Sequence, residues 1–168
     1  LDGLHWNILD LYRNVLLGLE AALRRAPDVR SIAVDSWGVD YALLRNNRMV
    51  GTPYHYRDDR NLAAQEAVHR VISPTDLYRS NGVQQLPFNT LYQLWADAAN
   101  GMLDGVDSFL LIPDLINFWM TGRQIAERTN ASTTGLLQPG TKSWNDELIG
   151  QLDLPRRVFP ELVDAGDE

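Results

Sequence analysis

The sequence predicts an α/β domain with a mixed sheet and flanking helices, and three observations lead there. An amphipathic pattern over residues 8–26 runs into a strand pattern over 29–36 whose centre, Ile32-Ala33-Val34, is continuously apolar. Such a run suits a strand buried on both faces beneath covering helices. A hairpin signal follows at once, and three helical stretches then precede a second apolar strand at 108–112. Helices and strands alternating in this way build an α/β layer structure.

In the first helix, Ile8, Leu11, Tyr12, Val15, Leu16, Leu19, Ala22 and Leu23 recur at helical spacing. Asn7 is the expected N-cap, and Asp10 lies in the first turn, where the helix dipole favours a negative charge. Arg24 and Arg25 close the last turn and Pro27 stops it. The apolar face is expected to lie on a sheet or on another helix. Tyr41 to Leu44 and Arg48 to Val50 read as a hairpin around Arg45-Asn46-Asn47, because asparagine tolerates positive φ. An extended piece, Pro53 to Arg57, follows.

Helices are predicted over 59–71, 74–81 and 90–100. Ser73-Pro74-Thr75-Asp76 is a start signal for the second and Gly82 a stop. The strand at 108–112 leads through Pro113-Asp114 into a helix at 115–120, ended by Gly122. Residues 129–141 are rich in Thr, Ser and Gly and read as loop with one short strand at 134–138. Ser143 is expected to cap a last helix over 144–151.

With 168 residues the chain is one domain or a large part of one. It can bury roughly two-thirds of its unfolded surface. The absence of cysteine excludes disulfides, thiolate metal sites and a cysteine nucleophile. A net charge of −7 with scattered basic residues disfavours nucleic acid as a partner. No apolar run approaches the ~20 residues of a membrane span, so no membrane partner is expected. The chain opens at Leu1 and closes on Ala165-Gly166-Asp167-Glu168 without an evident closing element, so it is expected to be a piece of a longer protein.

Chemistry is expected at the carboxyl end of the 29–36 strand, where ligands sit in open α/β sheets. There the chain reads Asp35-Ser36-Trp37-Gly38-Val39-Asp40. Two readings stand for each residue. Gly38 is a tight bend, or a place where a ligand approaches bare backbone. Asp35 and Asp40 cap turns, or bind hydroxyls or act as acid and base, as a hydrolase would require. Trp37 fills core, or stacks on a sugar ring. Tyr56-Arg57-Asp58-Asp59-Arg60-Asn61 is a helix cap within a solvated turn, or a guanidinium–carboxylate network at the edge of a site. His5, His55 and His69 show no metal-ligand spacing, and no GxSxG, GxGxxG or GxxxxGK[ST] occurs.

The run SIAVDSWGVDYALLRNNRMVGTPYHYRDDRN resembles the first-domain core of the FGGY carbohydrate kinases, most of all their rhamnulokinase branch. That branch has Asp-Thr-Trp-Gly-Val-Asp where this chain has Asp35-Ser36-Trp37-Gly38-Val39-Asp40. The likeness continues through Ser80 to Leu94 (SNGVQQLPFNTLYQL), Leu111-Ile112-Pro113-Asp114-Leu115, Thr121-Gly122, Thr129 to Leu136 (TNASTTGL) and Trp144-Asn145.

The resemblance implies an actin-like, ribonuclease-H-like ATPase fold. It also implies that Gly38 lies against a sugar through its backbone, with Trp37 and Asp40 beside it and Phe88 and Asn89 reaching the same sugar. The implied activity is transfer of the ATP γ-phosphate, with Mg2+, to a ketose such as L-rhamnulose. Xylulose-, fuculose- or glycerol-type kinases, or a non-catalytic interaction domain, are the alternatives.

The family's Asp-x-Gly-x-x-Ser phosphate loop, its His-Asp-Thr motif with the catalytic aspartate, and its second domain find no counterpart here. Residues 1–168 are therefore expected to be a partial, sugar-side N-terminal domain without the first strands. No catalytic residue, nucleotide or metal is expected on it, and the chain alone is expected to be inactive. The partner is a small-molecule sugar, the setting cytoplasmic, and self-association through a bare sheet edge is anticipated.

Overall fold

The sheet is organised by one turn. Asn46 and Asn47 both take positive φ, 49° and 62°, the paired left-handed conformation of a two-residue hairpin turn whose twist matches the strands. In this computed structural model, which describes residues 3–167, they join β1 (Tyr41–Arg45) to β2 (Arg48–Val50). The pair is antiparallel, with Leu43 opposite Val50. The other edge of β1 takes β3 (Ser108–Leu111), also antiparallel, giving the order β2-β1-β3.

Alternation along β1 then divides the core in two. Ala42 and Leu44 face one cluster with Ile8, Leu110, Ile112, Leu115 and Phe118. Tyr41 and Leu43 face the larger one, with Leu77, Leu91, Leu94, Phe109, Trp144 and Phe159. The first cluster is covered by α1 (Ile8–Arg25) and α5 (Ile112–Thr121). The second is covered by α2 (Arg60–Val71), α3 (Pro74–Asn81), α4 (Thr90–Ala99) and α7 (Asp146–Gln151). One further helical turn is α6 (Arg128–Ala131), and β4 (Ile125–Glu127) pairs in parallel with β5 (Glu161–Val163) as a second sheet. The α/β class holds, with its strands divided between an antiparallel sheet and a parallel pair.

Most predicted boundaries are met within a residue or two. Asn7 Oδ1 accepts the Asp10 N–H at 3.4 Å. Ser73 Oγ accepts that of Asp76 at 3.1 Å, and Gly82 ends α3 with φ of 68°.

Four expectations are corrected. Residues 29–36 form no strand. The run belongs to neither the β2-β1-β3 sheet nor the β4-β5 pair, so it has no ladder partner among the described residues, and Ile32 is 53% exposed. The apolar face of α1 is covered over its first half only: Ile8 is buried and Tyr12 and Val15 pack partly buried against the same cluster, whereas Leu11, Leu16 and Leu23 are exposed. Asn145 rather than Ser143 caps α7, its Oδ1 accepting the Leu148 N–H at 3.1 Å. The 129–141 loop begins with α6 and a 3-10 turn, and its expected strand is reduced to a single bridge between Leu137 and Trp144. No helix among the described residues is long and apolar enough to cross a membrane.

Candidate functional site

The Trp37–Asp40 corner enters β1 through a strained turn. Val39 has φ of 69°, and the Asp40 N–H donates to the Gly38 carbonyl at 2.9 Å, closing a three-residue turn. A β-branched residue at positive φ is an outlier and costs of order 1–3 kcal/mol, a conformation that clusters at functional sites.

The turn places Asp40 beneath the corner, fully buried. Its Oδ2 accepts the indole N–H of Trp6 at 2.6 Å, that of Trp37 at 3.0 Å and the Tyr56 N–H at 3.3 Å. Its Oδ1 accepts from Gln93 Nε2 at 3.1 Å. Four donors from four parts of the chain thus converge on one carboxylate, which offsets the cost of burying its charge.

Because the donors include two indoles, Asp40 aligns a row of rings. Trp37 and Trp6 lie 4.3 Å apart between centroids, Trp6 and His55 4.3 Å, His55 and Tyr56 4.5 Å, and Tyr56 and Phe88 5.7 Å edge-on. All five are half-buried, each with part of its surface open. Trp6 and His55 spend their faces on their neighbours in the row, so the end rings, Trp37 and Phe88, are the ones with apolar surface of the kind that packs against the C–H face of a sugar ring.

Trp37 and Gly38 keep part of their surface open. The residues just before the corner, Val34, Asp35 and Ser36, line a cavity of about 360 Å³ with Asp114, Asn117, Glu127 and Asn130, and none of Trp37, Gly38, Val39 and Asp40 lines it. Asp114 is 4% exposed; its Oδ1 accepts the Glu127 N–H at 3.2 Å, and its Oδ2 has no partner. Burial pushes its carboxyl up to about 7, against the opposing pull of that N–H. On the other side of Gln93, Tyr41 donates its hydroxyl to Asp97, which also pairs with Arg60. Burial, followed by the charge of Asp97, raises the Tyr41 hydroxyl well above its usual range. Arg60 lies 3.7 Å over the Tyr54 ring.

The sequence-predicted residues divide into two groups. Trp37, Gly38 and Phe88 are half-buried at the surface of the site. A Cβ on Gly38 would stand 3.1 Å from Thr133 Oγ1, so its missing side chain admits α6 and the turn after it, and only its backbone is left to face a ligand. Asp40 and Asn89 are buried, and Asn89 Oδ1 is occupied by the Leu86 N–H at 2.7 Å. Both side chains are turned inward onto groups of the chain itself.

Asp35 is exposed whereas Asp40 is saturated, so the two do not form the open carboxylate pair of a hydrolase. Asp58 serves as a structural cap, accepting the Arg60 N–H at 3.1 Å and the Leu4 N–H at 2.6 Å. Tyr56 belongs to the aromatic row instead. Trp6, His55, Tyr56 and Gln93 were not singled out from sequence as site residues; the one signal available was their aromatic or amide type beside polar runs.

Among the described residues no three His, Asp or Glu side chains gather where a metal ion would fit, and the sequence carries no phosphate loop. The residues present do not make up a site for ATP or Mg2+, and no step is derived through either.

Known proteins match this chain along its whole length. A rhamnulokinase of Pectobacterium atrosepticum is 46% identical over 166 residues, covering 96% of this chain and 33% of the relative. A rhamnulokinase of Enterococcus faecalis is 38% identical over 162 residues, with 96% and 33% covered. The chain thus spans about a third of the length of these relatives. The xylulose kinase structure from Rhodospirillum rubrum superposes with a TM-score of 0.80 at 16% identity, over 95% of this chain and 35% of that one. A ligand-bound xylulose kinase from Lactobacillus acidophilus gives 0.77 at 18%, over 95% and 33%. At such identities these two show the fold, the actin-like one of sugar kinases. The profile described as "FGGY family of carbohydrate kinases, N-terminal domain" matches residues 5–168, and the chain belongs to that family.

Proposed function

We propose that this chain forms the sugar-side wall of an ATP-dependent ketose kinase, acting on L-rhamnulose or a close relative of it. The observation that carries the reading is the row Trp37–Trp6–His55–Tyr56–Phe88, held in line over the buried Asp40 carboxylate. The printed names of the relatives, rhamnulokinase, favour L-rhamnulose over xylulose, fuculose or glycerol.

In this reading Trp37 and Phe88 pack against the apolar face of the ring, and the Gly38 backbone offers polar groups to its hydroxyls. Asp40 and Asn89 keep those groups in place. ATP and Mg2+ supply the phosphoryl group and neutralise its charge in the intact enzyme. The catalytic base and the nucleotide site belong to parts of that enzyme outside this sequence. This chain contributes orientation of the acceptor hydroxyl and exclusion of water from one side. In this reading the intact protein, using ATP on a small sugar, works in the cytoplasm.

Titrating the chain with L-rhamnulose while following tryptophan fluorescence tests this. The expected result is a weak, saturable change that Trp37→Ala abolishes, and no sugar phosphate formed with Mg-ATP. Absence of any response to L-rhamnulose, D-xylulose, L-fuculose and glycerol would overturn the sugar wall. Phosphorylation by the chain alone would overturn the division of labour.

A further inference from the structure

The strained corner is held from the outside by one helix. The Val39 carbonyl accepts the Thr90 hydroxyl at 2.8 Å and, more weakly, Gln93 Nε2 at 3.4 Å. Gln93 Nε2 also reaches Asp40 Oδ1 at 3.1 Å and the Phe88 carbonyl at 2.9 Å. Thr90 and Gln93 are one helical turn apart on the first half of α4, which puts both on the same face. They are 0% and 1% exposed, so both act from beneath the corner and not from its open surface. The far end of the turn is pinned as well, since the Ile112 N–H donates to the Asp40 carbonyl at 3.1 Å.

A β-branched residue left to itself at φ 69° relaxes to negative φ. The peptide stays where it is because the surrounding bonds over-determine it. Gln93 is the group that joins the two halves of the aromatic row, bonding the Trp37–Asp40 corner and the Pro87–Asn89 loop through one amide.

We propose that Thr90 and Gln93 are positioning residues. They clamp the Val39 peptide, so that the Gly38 backbone and the Phe88 ring stand at one set separation, and by that they govern how tightly and how selectively the site takes its sugar. The affinity part rests on the sugar-wall reading; the clamp itself does not.

The test uses the 168-residue chain with Thr90→Val, Thr90→Ser, Gln93→Met and the double Thr90→Val/Gln93→Met. Two quantities are read: the NMR signals of the Trp37 indole N–H and the Asp40 amide in the free chain, and affinity for L-rhamnulose against D-xylulose. Thr90→Val and Gln93→Met are expected to shift both NMR signals and to weaken L-rhamnulose binding at least fivefold, with the preference over D-xylulose falling. Thr90→Ser is expected to behave as wild type because it keeps the hydroxyl. Should Gln93→Met fail to fold, the Thr90→Val and Thr90→Ser pair decides.

Folded variants with both signals unmoved and affinity within twofold of wild type would overturn the proposal. Loss of stability with an unchanged sugar preference would do so too, since a merely structural pair gives that result. If wild type binds no sugar, the sugar wall falls, and the NMR signals alone then support or overturn the clamp.

Discussion

Replacing Asp114 by asparagine should remove the loss of stability that this buried carboxyl brings as pH rises. The buried carboxyl titrates near 7 in the folded chain against 3.8 for the unperturbed group. That is roughly three pK units, or ~4 kcal/mol at about 1.4 kcal/mol per unit. Because the folded state holds the proton more tightly, its stability is full below about pH 4 and declines as pH rises through about 7. The asparagine is neutral throughout and keeps an acceptor for the Glu127 N–H now bonded at 3.2 Å. Its NH2 group takes the place of the partnerless Oδ2, at a cost of order 1 kcal/mol or more.

The variant should therefore match wild type or fall slightly below it near pH 4, and exceed it by about 2–3 kcal/mol at pH 8. Urea denaturation at pH 4, 5, 6, 7 and 8 at constant ionic strength measures the difference. Carboxyls held low by hydrogen bonds away from Asp114, such as Asp76 bonded by Ser73, contribute the opposite slope, but they do so in both proteins and cancel. Parallel curves for the two proteins across this range would refute the burial argument.

Two further substitutions test packing and charge. Gly38→Ala drives a methyl to 3.1 Å from Thr133 Oγ1 and should cost about 1 kcal/mol in thermal unfolding. Adding Thr133→Ala should recover most of that, and an equal loss in the double variant would contradict the packing reason. Arg60→Ala leaves Asp97, 2% exposed, with its charge uncompensated, and should cost about 3–5 kcal/mol in urea denaturation. The paired Arg60→Met/Asp97→Leu should cost less than Arg60→Ala; a larger cost would mean that the pair itself, rather than the stranded charge, is what stabilises.

Local signals were read well where a single residue type meets a single backbone need. Asn46-Asn47 announced a hairpin because few residues accept positive φ in succession. Ser73-Pro74 and Gly82 bounded α3 through an available hydroxyl, a preset φ and a missing Cβ. The 29–36 run was misread because apolar, β-branched residues satisfy only half of what a strand requires; the other half is a partner. Val39 gave no warning, since valine argues against the positive φ that it adopts.

By itself the sequence determined the α/β alternation, the element boundaries, membership of the FGGY family and the corner at Trp37–Gly38. The first two follow from periodicity and capping, which act over a few neighbouring positions; the family and the corner follow from a resemblance that runs along the chain. Only the tertiary structure decided that Asp40 is a buried acceptor and not an outward ligand. It also decided that Trp6, His55 and Tyr56 join Trp37 and Phe88 in one row, and that Gln93 ties the corner to the Phe88 loop. Those contacts join residues as much as fifty-four positions apart, and no local pattern carries the direction in which a side chain must turn to make them.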